Sequence, residues 1–170
     1  MNKYLKTAYQ FGLLGGLLSI VSFYSFTFFN PDPTNLNLIF GYVLVPVSLF
    51  LSIKFFKEYS NSGYLSFAEG MTVGFVTYGL LAALSTLGIW LTLVLSPDLF
   101  DLIKTEKIQL LNQNQDLIVS QVGQNSFDAT EKSMQGLIPW NLALNDGLWK
   151  IIPGLFFSII ISIILRKNPN

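Results

Sequence analysis

The sequence contains no cysteine and no histidine. Without cysteine there is no disulfide framework and no thiol chemistry. Without histidine, His-based zinc sites, Ser-His and Cys-His nucleophile activation and the usual general base are excluded too. Charge is scarce: 12% of the 170 residues are Asp, Glu, Lys or Arg, against about 25% in a soluble domain. Ten basic residues balance ten acidic ones, so no basic surface argues for nucleic acid. These absences exclude more enzyme classes than any motif supports. The expectation is a protein that is not an enzyme and uses no metal and no cofactor.

What the sequence has is apolar length. Hydrophobic residues make up 51% of it and aromatics 15%. A membrane-crossing helix needs roughly 20 mostly apolar residues, and four stretches qualify: 7–29, 36–53, 71–95 and 147–165, the last with Lys150 near its entry. In lipid every backbone polar group must be satisfied within its own segment, so each is expected to be a helix. The first has a basic start, "MNKYLK", like a signal peptide. It is longer than a signal core and ends in "FFNPDP" rather than a small-residue cleavage site, so an uncleaved span is expected.

Basic residues set the orientation. Lys3 and Lys6 precede the first span, Lys54 and Lys57 follow the second, and Arg166 and Lys167 follow the fourth. The connection "NPDPTN" has none. The positive-inside rule then places both termini and the middle turn in the cytoplasm of a bacterial inner membrane, and segment 96–146 outside. Trp90, Trp140 and Trp149 fall toward that outer side, as interfacial anchors do.

Burial of apolar side chains does not drive helix association in lipid; close approach at small residues does. Each span carries a seam rich in small residues at alternating spacings of four and three: Ala8, Gly12, Gly15, Ser19, Ser22; Gly41, Val45, Ser48, Ser52; Gly74, Tyr78, Leu81, Ser85, Gly88, Thr92; Gly147, Ile151, Gly154, Ser158, Ile161. That repeat predicts an all-α, left-handed transmembrane four-helix bundle, up-down-up-down, as one membrane domain over 1–170. Gly12, Gly16, Gly74, Ser85, Gly88, Gly154 and Ser158 are its expected helix-packing positions, and Gly12 with Gly16 forms a GxxxG pair that also fits a dimer face. Pro46 and Pro153 lie inside spans, where each deletes a backbone donor and offers a hinge.

The outer segment reads as amphipathic helices. Ser96 fits an N-cap, Pro97 the first helical position, and Leu99, Ile103 and Leu110 one face. "NQNQ" and "GQNS" break the pattern, and a second segment runs through Phe127, Met134, Leu137 and Ile138 until Pro139 stops it. The result is a helical hairpin over the bundle, packed on itself, laid on the membrane or bound to a partner. Ahead of the third span, "SFAE" fits a capping box of Ser66 and Glu69. Glu69 also fits a proton or cation site at the bundle mouth, or an ion pair with Lys54 or Lys57. No carboxylate, Lys or Arg is placed mid-span to continue a relay.

Together "KFFKEY", "NSGYLSFAEGMTVGF", the glycine-rich "FGLLGG" and "SPDLFDLIK" resemble the bacterial membrane proteins grouped as domain of unknown function 4199. On that resemblance Gly63, Ser66, Phe67 and Gly74 match the cytoplasmic turn and the start of the third helix. It implies a four-span integral membrane protein and carries over no catalytic residue. The leading functional expectation is a non-enzymatic component acting by assembly, as a homo-oligomer or with a membrane-protein partner, among membrane lipids. The alternative is a small transporter or channel component using Glu69, the hydroxyl face of the third span and Pro46; four spans and no visible inverted repeat weigh against it. An outer enzymatic site at Asp32, Asp98 and Asp101 is explained as well by helix starts and turns.

Overall fold

The computed structural model describes residues 3–168. Its helices are α1 (Lys3–Phe26), α2 (Thr34–Phe55, followed by one π turn, Phe56–Ser60), α3 (Phe67–Leu95), α4 (Pro97–Gln113), α5 (Gln115–Val122), α6 (Gln124–Gln135) and α7 (Pro139–Ile164). The fold is all-α. A lone antiparallel bridge, Leu65 to Lys167, ties the α2–α3 turn to the C-terminal end of α7. Four helices, α1, α2 with its π turn, α3 and α7, are long and apolar enough to cross a membrane.

Several helix ends depart from the sequence reading; α2 runs on through its π turn to Ser60 and α3 starts at Phe67. α1 begins at Lys3 and ends at Phe26, with Thr27–Phe29 in a turn. Ser96 precedes α4 but its hydroxyl makes no capping bond; Pro97 at the first position sets the start. Most consequentially, Pro139 does not end an outer helix but opens α7. Its ring is preorganised for the first helical turn, and the Asn141 carboxamide accepts the Ile138 N–H at 3.0 Å. α7 therefore starts eight residues before the expected Gly147, and Leu137 and Ile138 belong to the connection.

The seams pack as expected with one exception. Ala8, Gly12, Gly15, Ser19 and Ser22 of α1 are buried, as are Gly41, Val45, Ser48 and Ser52 of α2. α1 packs on α2 and α3, and α7 packs on α2 and α3, so α1 and α7 occupy opposite corners. The seam glycines set these distances. A Cβ at Gly74 would lie 2.8 Å from Ser158, at Gly154 2.6 Å from the Tyr78 ring and at Gly88 2.2 Å from Ile20. Gly12 and Gly16 both face α3, against Thr77–Leu80 and Leu84, so the GxxxG pair serves α1–α3 packing and not a dimer face. The exception is Ile151, which is exposed, while Lys150 beside it is buried. The α7 seam is Ala143, Gly147, Lys150, Gly154, Ser158 and Ile161.

Over the bundle the distribution is inverted relative to a soluble one. Leu14, Leu18, Val21, Val43, Phe75, Leu87, Ile152 and Phe156 are exposed, and Ser19, Ser52, Thr77, Ser85, Ser158 and Ser162 are buried. Lipid accepts the first set, and close packing with internal hydrogen bonds accommodates the second.

Helices α4–α6 form a cap on the end opposite the termini. Leu99, Phe100 and Ile103 of α4 pack on Phe23, Ile89, Leu93 and Ala143 at the bundle end. The inward position two turns further along is Leu111, not Leu110, which is 58% exposed. α4 is also tied to the α1–α2 loop, where Lys107 Nζ donates to Asp32 Oδ2 at 2.8 Å. Gly123, at φ +84°, breaks α5 from α6. Trp90 and Trp140 meet edge to face at 6.1 Å. Trp149 is nine residues further along α7, about 14 Å deeper at 1.5 Å per residue, so the three do not form one belt.

Candidate functional site

The early start of α7 brings Asp146 inside the bundle. Asp146 and Lys150 are one turn apart on α7 and form an ion pair, with the two side chains 10% and 2% exposed. Asp146 Oδ1 accepts from Lys150 Nζ and from Asn37 Nδ2 of α2, the latter at 2.8 Å. Asp146 Oδ2 accepts from Ser85 Oγ of α3 at 2.7 Å. Ser85 is in turn 2.8 Å from Ser19 of α1, and Ser22 of α1 donates to Asn37 Oδ1 at 2.7 Å. One carboxylate thus reaches all four bundle helices. Asp146 lies about 9 Å and Lys150 about 15 Å along α7 from Trp140.

Local sequence builds this centre. The i,i+4 spacing puts Asp146 and Lys150 on one helix face. Gly41 leaves room for the lysine stem: a Cβ there would be 3.4 Å from Lys150 Cε and 3.8 Å from Nζ. Toward the termini the centre is closed by a buried, mainly apolar layer, with Val45, Leu49 and Leu81 at its heart and the buried hydroxyls of Ser48, Ser52 and Thr77 among them. Toward the cap it opens. A cavity of about 60 Å³, lined by Thr34, Asn35, Leu38, Lys107, Leu142, Asn145 and Asp146, lies next to the carboxylate. A water occupies about 30 Å³ in the liquid, so this space suits a water or two, not an organic solute. Beyond it a groove of about 410 Å³ runs under the cap, and Lys107 and Asn35 line both spaces.

Glu69 sits at the other end. Ser66 and Glu69 form the capping box in full: Glu69 N–H donates to Ser66 Oγ at 3.2 Å and Ser66 N–H to Glu69 Oε2 at 2.9 Å. Asn61 Nδ2 also donates to Oε2, at 3.1 Å. The ion-pair partner is Lys3 at 3.7 Å, not Lys54 or Lys57; Lys54 pairs with Glu58 instead. The carboxylate borders an open polar recess with Ser60, Ser62, Tyr64 and Lys167. With its oxygens held by the helix start and by α1, Glu69 closes the α2–α3 turn against the N-terminal helix. Among the described residues no bonding connects it to Asp146.

Of the residues singled out from sequence, Gly12, Gly16, Gly74, Gly88, Gly154 and Ser158 are packing positions, and Ser66 and Glu69 are a cap. Ser85 is more than a packing residue, since it donates to Asp146. The expectation that no carboxylate, Lys or Arg lies mid-span is overturned: Lys150, expected near a span entry, stands in the middle of α7, and Asp146 stands one turn before it. The spacing D-x-x-x-K is in phase with the glycine seam, but a fourth span beginning at Gly147 leaves Asp146 in the outer segment and puts Lys150 at the span's entry. Asp32 serves the turn, accepting Thr34 N–H at 3.0 Å, besides its pair with Lys107. Asp98 and Asp101 are exposed on α4 and join no common site with it. Among the described residues no group of three or more carboxylates is placed to hold a metal ion.

The model of one protein family, described as "Protein of unknown function (DUF4199)", matches residues 10–167. No curated protein and no solved structure matches the chain.

Proposed function

The chain belongs to the DUF4199 family, and from that premise we propose an integral membrane protein that handles protons or small ions at the Asp146–Lys150 centre. The observation that carries this is the buried ion pair. Charges inside membrane-spanning helices are expensive and mark ion pathways or proton relays by default. This pair is bonded by α2 and α3 directly and braced by α1 through Ser19 and Ser22, and it meets a water-sized cavity on its cap side. The closed apolar layer argues against an open channel. Passage would need alternate exposure, and Pro46 of α2 and Pro153 of α7 lack the backbone donors that would stiffen the helices there. We place the protein in a bacterial inner membrane with both termini cytoplasmic, because six of its ten basic residues sit at the termini end. The reading is non-enzymatic; the lack of histidine and cysteine supports it.

The test is proton flux in liposomes under an imposed potential, followed with an internal pH dye. The native protein is expected to exceed empty liposomes, and Asp146→Asn to bring the rate to background. Glu69→Gln is expected to leave it within about twofold, since glutamine removes the charge, keeps an oxygen for the Ser66 N–H and stands at the far end of the bundle from Asp146. No flux from the native protein, or full flux from Asp146→Asn, would sink the reading.

A second reading, assembly through the cap, has its own observation. α5 buries none of its residues, and Leu102, Leu110, Leu117 and Val122 are exposed on the cap. A photo-crosslinker at Leu117 in cells would give an adduct of one defined mass if a partner or second copy covers this face. Lipid adducts alone would remove that support.

A further inference from the structure

We infer that the Lys107–Asp32 ion pair is a latch that governs entry of water and small hydrophilic ions from the cap groove to Asp146. The inference rests on the reading of that centre as the working site. Its basis is where Lys107 stands. The residue lines the groove under the cap and also the small cavity at Asp146, so its side chain forms the wall between them. Asn35 shares that wall but is itself solvent-exposed, so it does not close it.

The wall is held by specific bonds. Lys107 Nζ donates to Asp32 Oδ2 and to Thr34 Oγ1, both at 2.8 Å. Asp32 Oδ1 accepts from Thr34 Oγ1 at 2.6 Å, so the carboxylate is anchored at the start of α2. The side chains are 20% and 13% exposed, which leaves the pair partly desolvated yet within reach of bulk ions. Lys107 lies one turn beyond Ile103, the last α4 residue of the apolar contact with the bundle end. Past that contact the groove runs between cap and bundle, with Leu111 in its lining, and among the described residues the bonds of Lys107 tie α4 to the α1–α2 loop there. Breaking them frees the lysine stem to leave the wall while Leu99, Phe100 and Ile103 keep the start of α4 seated.

The natural chain has no cysteine, so one introduced thiol reports access cleanly. Leu38→Cys places it in the inner cavity of the full-length protein in liposomes. The probe is a small cationic methanethiosulfonate applied from the cap side. Labelling is expected to be slow with the latch intact and about tenfold or more faster in Lys107→Met or Asp32→Asn, because access follows the opening equilibrium. The charge-reversed double variant, Asp32→Lys with Lys107→Asp, is expected to return to the slow rate. Raising ionic strength should speed labelling of the native latch relative to Lys107→Met, in which salt acts only by screening the cationic probe. Ser133→Cys on the exposed cap is the control and should label alike in every background. Equal Leu38→Cys rates in all backgrounds would overturn the latch. So would a charge-reversed variant as fast as the single ones, or a control that changes with the latch, which would report a cap loosened as a whole. The readout needs no transport: a latch confirmed alongside absent flux would leave an access device on a site that is not a transporter.

Discussion

Asp146 and Lys150 are worth more as a pair than either is alone. Removing one partner of a buried ion pair leaves an uncompensated charge and typically costs about 3–5 kcal/mol, whereas replacing both with apolar groups of similar size is often near neutral. Lys150→Met is therefore expected to unfold at a markedly lower temperature in detergent, and Lys150→Met with Asp146→Leu to recover much of the loss. If the double variant is as unstable as the single one, the hydrogen bonds from Asn37 and Ser85, not the charge, dominate. Two serines give a parallel contrast. Ser85→Ala removes a donor from a buried carboxylate and should cost roughly 1.5–3 kcal/mol, the range for bonds to charged groups. Ser162 is buried against Gly70 with its hydroxyl unpartnered among the described residues. Ser162→Ala is expected to be neutral or stabilising by about 1 kcal/mol, since it removes a desolvated group that bonds nothing. Thermal unfolding of both variants side by side separates the two cases.

At the scale of elements, helix contacts in this bundle are set by glycine rather than by interlocking large side chains. α3 and α7 approach at Gly74, Gly147 and Gly154, each with a neighbour under 3 Å from where a Cβ would stand. Gly79 of α3 has open space at the same point. Gly154→Val should separate the helices at Tyr78 and lower the unfolding temperature by several degrees, at an overpacking cost of about 1–3 kcal/mol. Gly79→Ala should match or exceed the native protein, because alanine is the better helix former by about 0.8–1.0 kcal/mol. Equal effects at both positions would mean that helix propensity, not packing, sets stability here. The capping box belongs to this scale as well. Ser66→Ala should cost about 0.5–2 kcal/mol and loosen the α2–α3 turn without touching the polar centre.

For the whole molecule, the zero net charge hides a strong asymmetry. Lys3, Lys6, Lys54, Lys57, Arg166 and Lys167 outweigh Glu58 and Glu69 at the termini end, and Asp32, Asp98, Asp101, Glu106, Asp116, Asp128 and Glu131 outweigh Lys104, Lys107 and Lys132 at the cap end. The field along the bundle favours cations on the cap side, the side on which the Asp146 cavity opens. Single cysteines at Ser62 and Ser133 test the orientation in intact cells. An impermeant maleimide is expected to reach Ser133→Cys from outside and Ser62→Cys only after lysis, and the reverse pattern would invert the proposed topology.

Much of this architecture is legible in the residues themselves. Four apolar stretches must become helices because lipid offers the backbone no other partner. The small-residue seams name their own inward faces, and "SFAE" specifies a helix start through bonds three residues apart. These are local properties, decided by composition and by neighbours within a turn or two. Tertiary structure decided the rest. The start of α7 was ambiguous, because a proline ends one helix or opens the next with equal ease and only packing chooses. Once α7 began at Pro139, Asp146 moved from an outer loop to the inside of the bundle. Lys150 displaced Ile151 from the seam because Asp146, Asn37 and the space beside Gly41 received its charge, while lipid received the isoleucine. Burial of a charge depends on partners that lie from four to 109 residues away. No periodicity along the chain records that they will meet.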